Sequence, residues 1–324
     1  MKGGDVMQTA KLPATGHKVK FSRYFERNRA LYLMLIPGLI LLVLFRYLPI
    51  YGLIAGFEDY SPVKGYFGSP FVGLKHFQRF FNDPFCWRLI RNTFLLGIEN
   101  VIFAFPAAII FALMLNELRM KRFKRVVQTI SYMPYFLSSV VVVGLMRDML
   151  NVQTGVVNQA LIKLGVIDQG ISFFTRPEWF RPLYIISALW QGMGYNSIIY
   201  LGAMSNINTE LYESADMDGA SRLQKIWHIT LPGIKTTIVI LLIMATGGIL
   251  SNDYQKILLM YSSRIYSTAD VISTYIYRQG IEVGGLSGFS YSTAVGLISN
   301  VVSLIFLLGT NAVVKRIDES NALL

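Results

Sequence analysis

Four residues within one short stretch, Trp190, Gln191, Tyr195 and Asn196, combine flat rings with side-chain amides. Rings of this kind stack on apolar ligand faces, and an amide both donates to and accepts from hydroxyls, so the set suits a polyhydroxylated ligand such as a sugar. Glu99 and Asn100 form a second polar pair, and Asn252, Tyr254 and Asn300 stand singly, each inside or beside an apolar run. Polar groups in such runs are costly, which makes each a candidate for a ligand pathway. Each also has a plainer reading. Glu99 can pair with a neighbouring helix, and Gly192 and Gly194 can either loosen their helix or let another one pack closely. Four cations, Arg46, Arg147, Lys256 and Arg264, could meet an acidic ligand, although a cation near a membrane boundary more often reaches for lipid phosphate.

The elements that position these residues follow from composition. Of 324 residues, 53% are hydrophobic and only 15% charged. This departs from a globular average toward an all-α membrane protein. The net charge of +11 is not spread as a nucleic-acid surface would be, because the basic residues cluster beside apolar runs. A single cysteine, Cys86, permits no internal disulfide, and the scattered His17, His76 and His228 offer no metal-ligand spacing. No catalytic residue, metal or cofactor of the chain's own is expected.

Six transmembrane helices are expected, over about 30–55 with a kink at Pro37, 92–115 broken at Pro106, 126–150 with Pro134 inside, 181–203, 235–250 and 290–314. The first run, Leu31 to Phe45, is worth roughly −5 kcal/mol of insertion against about +3 for Arg46. It therefore inserts despite the arginine, and no small-residue cleavage site follows it. Residues 1–29 form a basic cytoplasmic segment, 30–314 the transmembrane domain and 315–324 a cytoplasmic tail. Seventeen of the Lys and Arg residues fall in segments expected inside, against eleven in the three longer external loops. That bias places both termini in the cytoplasm.

Between the fourth and fifth spans lies a polar interruption, Glu213 to Pro232, ESADMDGASRLQKIWHITLP. Asn208 and Thr209 supply capping oxygens, and Glu210 and Glu213 sit where a carboxylate complements a helix N-terminus. Asp218-Gly219 has turn chemistry, and a second short helix is expected with Leu223, Ile226 and Trp227 on one side, ended by Pro232. Ser214, Ala215, Gly219 and Ala220 leave the first helix a low surface over which a partner could close. An ordinary interfacial helix would carry Lys and Arg on its polar face, whereas Glu210, Glu213, Asp216 and Asp218 dominate here.

This pattern resembles the cytoplasmic EAA loop of binding-protein-dependent ABC importer permeases: Glu-Ala-Ala, a glycine, nine residues, then Ile-x-Leu-Pro. Glu213, Ser214 and Ala215 fill the triplet, Gly219 the glycine, and Ile229, Leu231 and Pro232 the close. Ser214 departs from the usual alanine, and Thr236 stands where many members have a second proline. The runs YLPIYGLIAGFEDYSP, GSPFVGLKHF, ALMLNEL, ISYMPYF and IIYLGAM are similar to the carbohydrate-class permeases that handle polysaccharide fragments. The resemblance implies a multi-pass protein of the bacterial inner membrane that imports oligosaccharides, acidic ones such as alginate fragments among them. It further implies a second related permease, two ATPase subunits carrying ATP and magnesium, and an extracytoplasmic solute-binding protein. Glu213, Ser214, Ala215, Asp218, Gly219, Ala220, Leu231 and Pro232 would form the coupling helix gripped by the ATPase.

The chain contains no Gly-x4-Gly-Lys-Ser/Thr phosphate loop, so ATP hydrolysis is expected from a partner. An ion-coupled secondary transporter working through Glu99 is the rival reading. It finds no support in internal repeats. A membrane enzyme would need clustered His, Asp or Ser within the spans, and none is present.

Overall fold

The computed structural model describes residues 28–283 and 285–317, without the side chains of 286, 287 and 317. The expected basic segment before residue 28 and the end of the tail lie outside the described residues. Among the described residues the chain is helical, with one isolated bridge, between Glu58 and Phe71, and no strand. It divides into two compact units, Met1–Gly52 and Leu53–Leu324.

In the first unit, α1 (Arg29–Leu42) is apolar all round and buries none of its side chains; Met34 is 80% exposed. A helix of that composition needs lipid or protein around it. The expected kink at Pro37 does not interrupt it. Helical character changes later, to a π turn at Val43–Tyr47 and a 3-10 stretch at Leu48–Phe57, where Pro49 has no N–H to give to an α ladder.

In the second unit, α2 (Cys86–Asn116) runs through Pro106 without the expected break. Packing beside the proline explains this: Phe105 meets the edge of Tyr200, and Ala108 and Ala112 are buried against Tyr200 and Met204. Two shorter helices follow, α3 (Lys121–Tyr132) and α4 (Ser139–Met149). The continuous helix expected over 126–150 is therefore corrected to a bent pair, turned by 101°. Met133–Phe136 forms a 3-10 turn at Pro134, and Ser138 starts a new helix by accepting from the Val141 N–H.

The helix that packs most extensively on α2 is α5 (Pro177–Met204). Glu99 and Arg181 meet near their first halves and Ala112 and Met204 near their ends, so the two run the same way. Gly194 is where α3 closes on α5; a methyl there would run into the carbonyl oxygen of Ser131. Next come α6 (Thr209–Met217), α7 (Arg222–Lys225) and α8 (Lys235–Gly247). Ile234 is buried with Met204, whereas Asn252, beyond α8, donates to the Thr93 carbonyl at 3.3 Å, so α8 runs opposite to α2. The unit thus has a near end, at Asn116, Met204 and Lys235, and a far end, at Cys86, Pro177 and Asn252.

The external stretch expected over 251–288 is largely helical at the far end, with α9 (Tyr254–Met260) and α10 (Ile272–Tyr277) before α11 (Gly285–Ile317). Ile257, Met260 and Ile265 join Leu96, Val143 and Phe180 in one core. A second core joins Phe80 and Leu89 to Tyr275 and Tyr291. Asp270 is wholly buried there. It accepts from Arg278 at 3.0 and 2.9 Å, and Arg88 lies 3.6 Å away. A carboxylate out of water requires such partners.

Among the described residues three helices, Arg29–Phe57, Cys86–Asn116 and Gly288–Arg316, are long and apolar enough to cross a membrane, and five segments are if each of two bent pairs counts as one. The second pair, Arg222–Gly233 with Lys235–Gly247, bends by 64°. With 28 residues α5 has the length, yet Trp190, Gln191, Tyr195 and Asn196 dilute its apolar character.

Candidate functional site

A cavity of about 260 Å³ opens between α2, α5, α8 and the turn after α8. Asn100, Asn196 and Asn252 all line it, with Tyr184, Phe105 and Tyr200 as ring walls. Three amides from three elements therefore face one space, although they are far apart in sequence. The Asn100 Oδ1 is buried without a hydrogen-bond partner, leaving an acceptor for a ligand hydroxyl. Tyr184 holds the mouth in place: its hydroxyl accepts from the Asp253 N–H at 3.2 Å.

The other sequence candidates stand elsewhere. Glu99 pairs with Arg181 at 3.4 Å and lines a separate groove with Phe103 and Ile185. Gln191 donates to the Leu137 carbonyl at 2.8 Å and accepts from Lys256 at 2.8 Å, tying α5 to the α3–α4 break and to α9. Tyr195 lies flat on Tyr135, 3.8 Å between ring centres and 7° between planes, with Phe136 against its edge. Trp190 is 48% exposed beside them on α5. Tyr254 pairs loosely with Tyr277, and Asn300 is exposed on α11, away from the cavity. Among the four cations, Arg147 donates to the Leu259 carbonyl at 2.6 Å, Lys256 is buried, and Arg46 and Arg264 are exposed.

Tyr135, Phe136, Tyr184 and Tyr200 did not stand out in the sequence. The signal for the first two was present in Pro134 followed by Ser138, a helix end and a new cap, which together turn the rings toward α5.

At the near end, the segment between α5 and α8 is built as a capped, exposed hairpin of helices. Asn208 accepts from the Glu210 N–H at 3.0 Å. α6 ends in paired reverse bonds, Ala220 N–H to the Ala215 carbonyl at 2.9 Å and Gly219 N–H to Asp216 at 3.1 Å, with Gly219 at φ 75°. That left-handed position is the one glycine takes without strain. Ser221 and Gln224 then form a reciprocal cap for α7. The helix does not end at Pro232. A π turn at Ile226–Thr230 leads into Leu231–Gly233, where the proline occupies a first-turn position that needs no N–H, and the bend comes at Ile234. Lys225 bridges to Asp216 at 2.5 Å, and Tyr212 bonds the buried Thr230 at 2.9 Å. Glu213, Ser214, Asp218, Gly219 and Pro232 are exposed, Ala215, Ala220 and Leu231 partly so. Leu211, Met217, Leu223 and Trp227 add large exposed apolar groups to the hairpin, Met217 at 89% exposure; Ile226 is half-buried.

Residues 104–319 match the family described as binding-protein-dependent transport system inner membrane component. Protein LplB of Bacillus subtilis strain 168 is 41% identical over 304 residues, spanning 94% of each chain. The polygalacturonan/rhamnogalacturonan transport system permease protein YteP of the same organism is 42% identical over 293 residues and 90% of each chain. A chain in the crystal structure of a bacterial ABC transporter involved in the import of the acidic polysaccharide alginate is 41% identical and superposes with a TM-score of 0.82, over 92% of this chain and 99% of that one. The alginate transporter in complex with an alginate pentasaccharide-bound periplasmic protein gives the same TM-score and identity.

Proposed function

The chain belongs to the binding-protein-dependent transport system inner membrane component family, and from that premise we propose that it is the permease subunit of an ATP-driven importer of acidic oligosaccharides. The cargo reading is supported by relatives named for polygalacturonan and for alginate and by the amide-lined cavity between α2, α5 and α8. Sugar hydroxyls would exchange water for Asn100, Asn196 and Asn252. Trp190, Gln191, Tyr195, Tyr254, Asn300 and the paired Glu99 would flank the route rather than hold the cargo.

In this reading six spans cross the bacterial inner membrane: α1, α2, the α3–α4 pair, α5, α8 and α11. The near end and both termini face the cytoplasm. Residues 1–29 form the basic cytoplasmic segment, 30–314 the permease domain and 315–324 the tail. The working complex would add a second related permease, two ATPase subunits that bind ATP and magnesium, and an external solute-binding protein docking at the far end. This chain itself performs no hydrolysis.

Alternating access follows from how the near-end hairpin is attached. An ATPase dimer that closes on ATP would carry α6 with it, since Glu213, Ser214, Ala215, Asp218, Gly219 and Ala220 present its low acidic face and Leu231 and Pro232 lead into α8. The single observation that carries this reading is the exposed apolar set Leu211, Met217, Leu223 and Trp227 on a hairpin otherwise tightly capped and cross-linked. A rigid element with an uncovered apolar face is suited to transmit force to a partner that covers it. Copurification in mild detergent tests it. A nucleotide-binding chain of separate sequence should accompany the permease, and Met217→Asp should release it; uptake that persists without any such chain would refute the reading.

A further inference from the structure

A second cavity, of about 460 Å³, lies at the far end, where the helix Lys75–Phe81 packs on α11. Every residue that lines it carries a hydrogen-bonding side chain: Asp59, Tyr60, Ser61, Lys75, His76, Arg79 and Ser290. This sets it apart from the neighbouring groove around Phe77 and Leu297, whose walls are apolar throughout. Lys75 bonds Asp59 at 2.6 Å, and Ser290 accepts from the Tyr60 N–H at 2.8 Å, so the walls are braced without a ligand.

One buried group lacks a partner, and one exposed cation lacks a counter-charge. His76 is only 5% exposed, and its Nε2 lies 3.2 Å from the Glu58 carbonyl oxygen and 3.1 Å from the Asp59 carboxylate. Both neighbours accept, so in the neutral ring the hydrogen belongs on Nε2 and Nδ1 is an acceptor, buried and without a partner. The Arg79 guanidinium rests over the Tyr291 ring at 4.3 Å and, among the described residues, forms no ion pair. A buried acceptor without a partner and an exposed planar cation without a counter-ion, lining one cavity, suit a ligand that brings both a hydroxyl and an anionic group.

We infer that this cavity is a second saccharide site, which takes one acidic sugar residue with its carboxylate on Arg79 and a hydroxyl on the His76 Nδ1, while Asp59 and Ser290 meet further hydroxyls. It rests on the importer reading, which puts the far end outside the cell. The site lies apart from the cavity of Asn100, Asn196 and Asn252, and serves to receive an oligosaccharide end at the permease surface before passage. Its preference for uronate over neutral sugar comes from the guanidinium, whose fork matches a carboxylate.

The test titrates the complete transporter in nanodiscs, without binding protein, with a uronate trisaccharide and with its methyl ester. The acid should bind and the ester at least tenfold more weakly. Arg79→Gln should weaken the acid at least tenfold and Arg79→Lys less, whereas Lys163→Gln, at a cation that lines neither cavity, should leave this binding in place. Thermal unfolding and copurification of the complete complex should match wild type in Arg79→Gln, which shows that the variant is folded and assembled. No binding of the acid, equal binding of the ester, or an Arg79→Gln effect confined to binding-protein docking would each overturn the assignment. The importer reading fails separately, if loaded binding protein leaves wild-type ATP hydrolysis unchanged.

Discussion

Tyr212 and Thr230 share a hydrogen bond, hydroxyl to hydroxyl at 2.9 Å, and Thr230 is wholly buried while the helix bearing Tyr212 is exposed. The bond joins α6 to the turn that enters α8. Motion of the exposed helix therefore reaches α8 through a contact with little freedom to slip. Tyr212→Phe should cost about 1 kcal/mol of stability. In the assembled transporter it should raise the ATP hydrolysed per sugar moved severalfold, as measured by paired hydrolysis and vesicle uptake assays.

Gly219 stands at φ 75° with no atom crowding the position a side chain would take, so the penalty for replacing it is backbone strain. For an L-residue that is about 1–2 kcal/mol. Gly219→Val should still insert in the membrane, yet lose most coupled transport as α6 re-orients. Glu213→Lys, which leaves the backbone alone and reverses an exposed charge, should weaken ATPase capture without changing the melting temperature. Normal coupling in both variants would remove this segment from the mechanism.

The shared cavity predicts a different pattern. Asn100→Leu, Asn196→Leu and Asn252→Leu each place an apolar group where a ligand hydroxyl would pair. Uptake should fall about tenfold or more, the scale of one or two lost hydrogen bonds. Hydrolysis stimulated by loaded binding protein should persist. Asn300→Leu, on the exposed side of α11, serves as the control and should transport normally.

At the far end, Asp270 is buried against Arg278 and Arg88. Asp270→Ala would strand two guanidiniums beside a core and should destabilise the protein by about 3–5 kcal/mol. Thermal unfolding in detergent would show it as a loss of several degrees. Transport defects of this variant should follow its lower abundance, not a changed sugar preference.

Lys75 beside Asp59 holds the Asp59 carboxyl below the ordinary carboxylate range, with His76 adding to the effect and slight burial opposing it. A carboxyl depressed in the folded state contributes its stability above the unfolded value of about 4 and loses it as pH falls through the folded value. Asp59 is substantially exposed, so the effect is small. Melting temperatures measured from pH 6 down to 3 should decline slightly less in Asp59→Asn than in wild type.

Much of this was legible in the chain because periodicity and capping act locally. The apolar runs located the helices, and Asn208, Gly219 and the small residues between them described α6 before its bonds were seen. What escaped was set by neighbours. Pro106 looks like a break and Pro37 like a kink, yet α2 continues where α5 packs beside it and α1 runs on without interruption. Pro134 looks like a kink and produces a turn of 101°, because Ser138 is ready to start another helix. Asn100, Asn196 and Asn252 were legible singly. Their convergence depends on α2 and α5 running parallel, a fact no local pattern holds. Glu99 shows the converse, a polar residue in an apolar run whose partner, Arg181, lies 82 positions away.

The most direct measurement of the central claim uses Met217, the most exposed apolar side chain of the near-end hairpin. With Met217→Cys in the assembled transporter, a thiol cross-linker should join it to the nucleotide-binding partner in membranes, with a yield that changes on adding ATP and magnesium. Labelling of that cysteine from outside intact cells, or a cross-link to no nucleotide-binding chain under any nucleotide condition, would contradict the account.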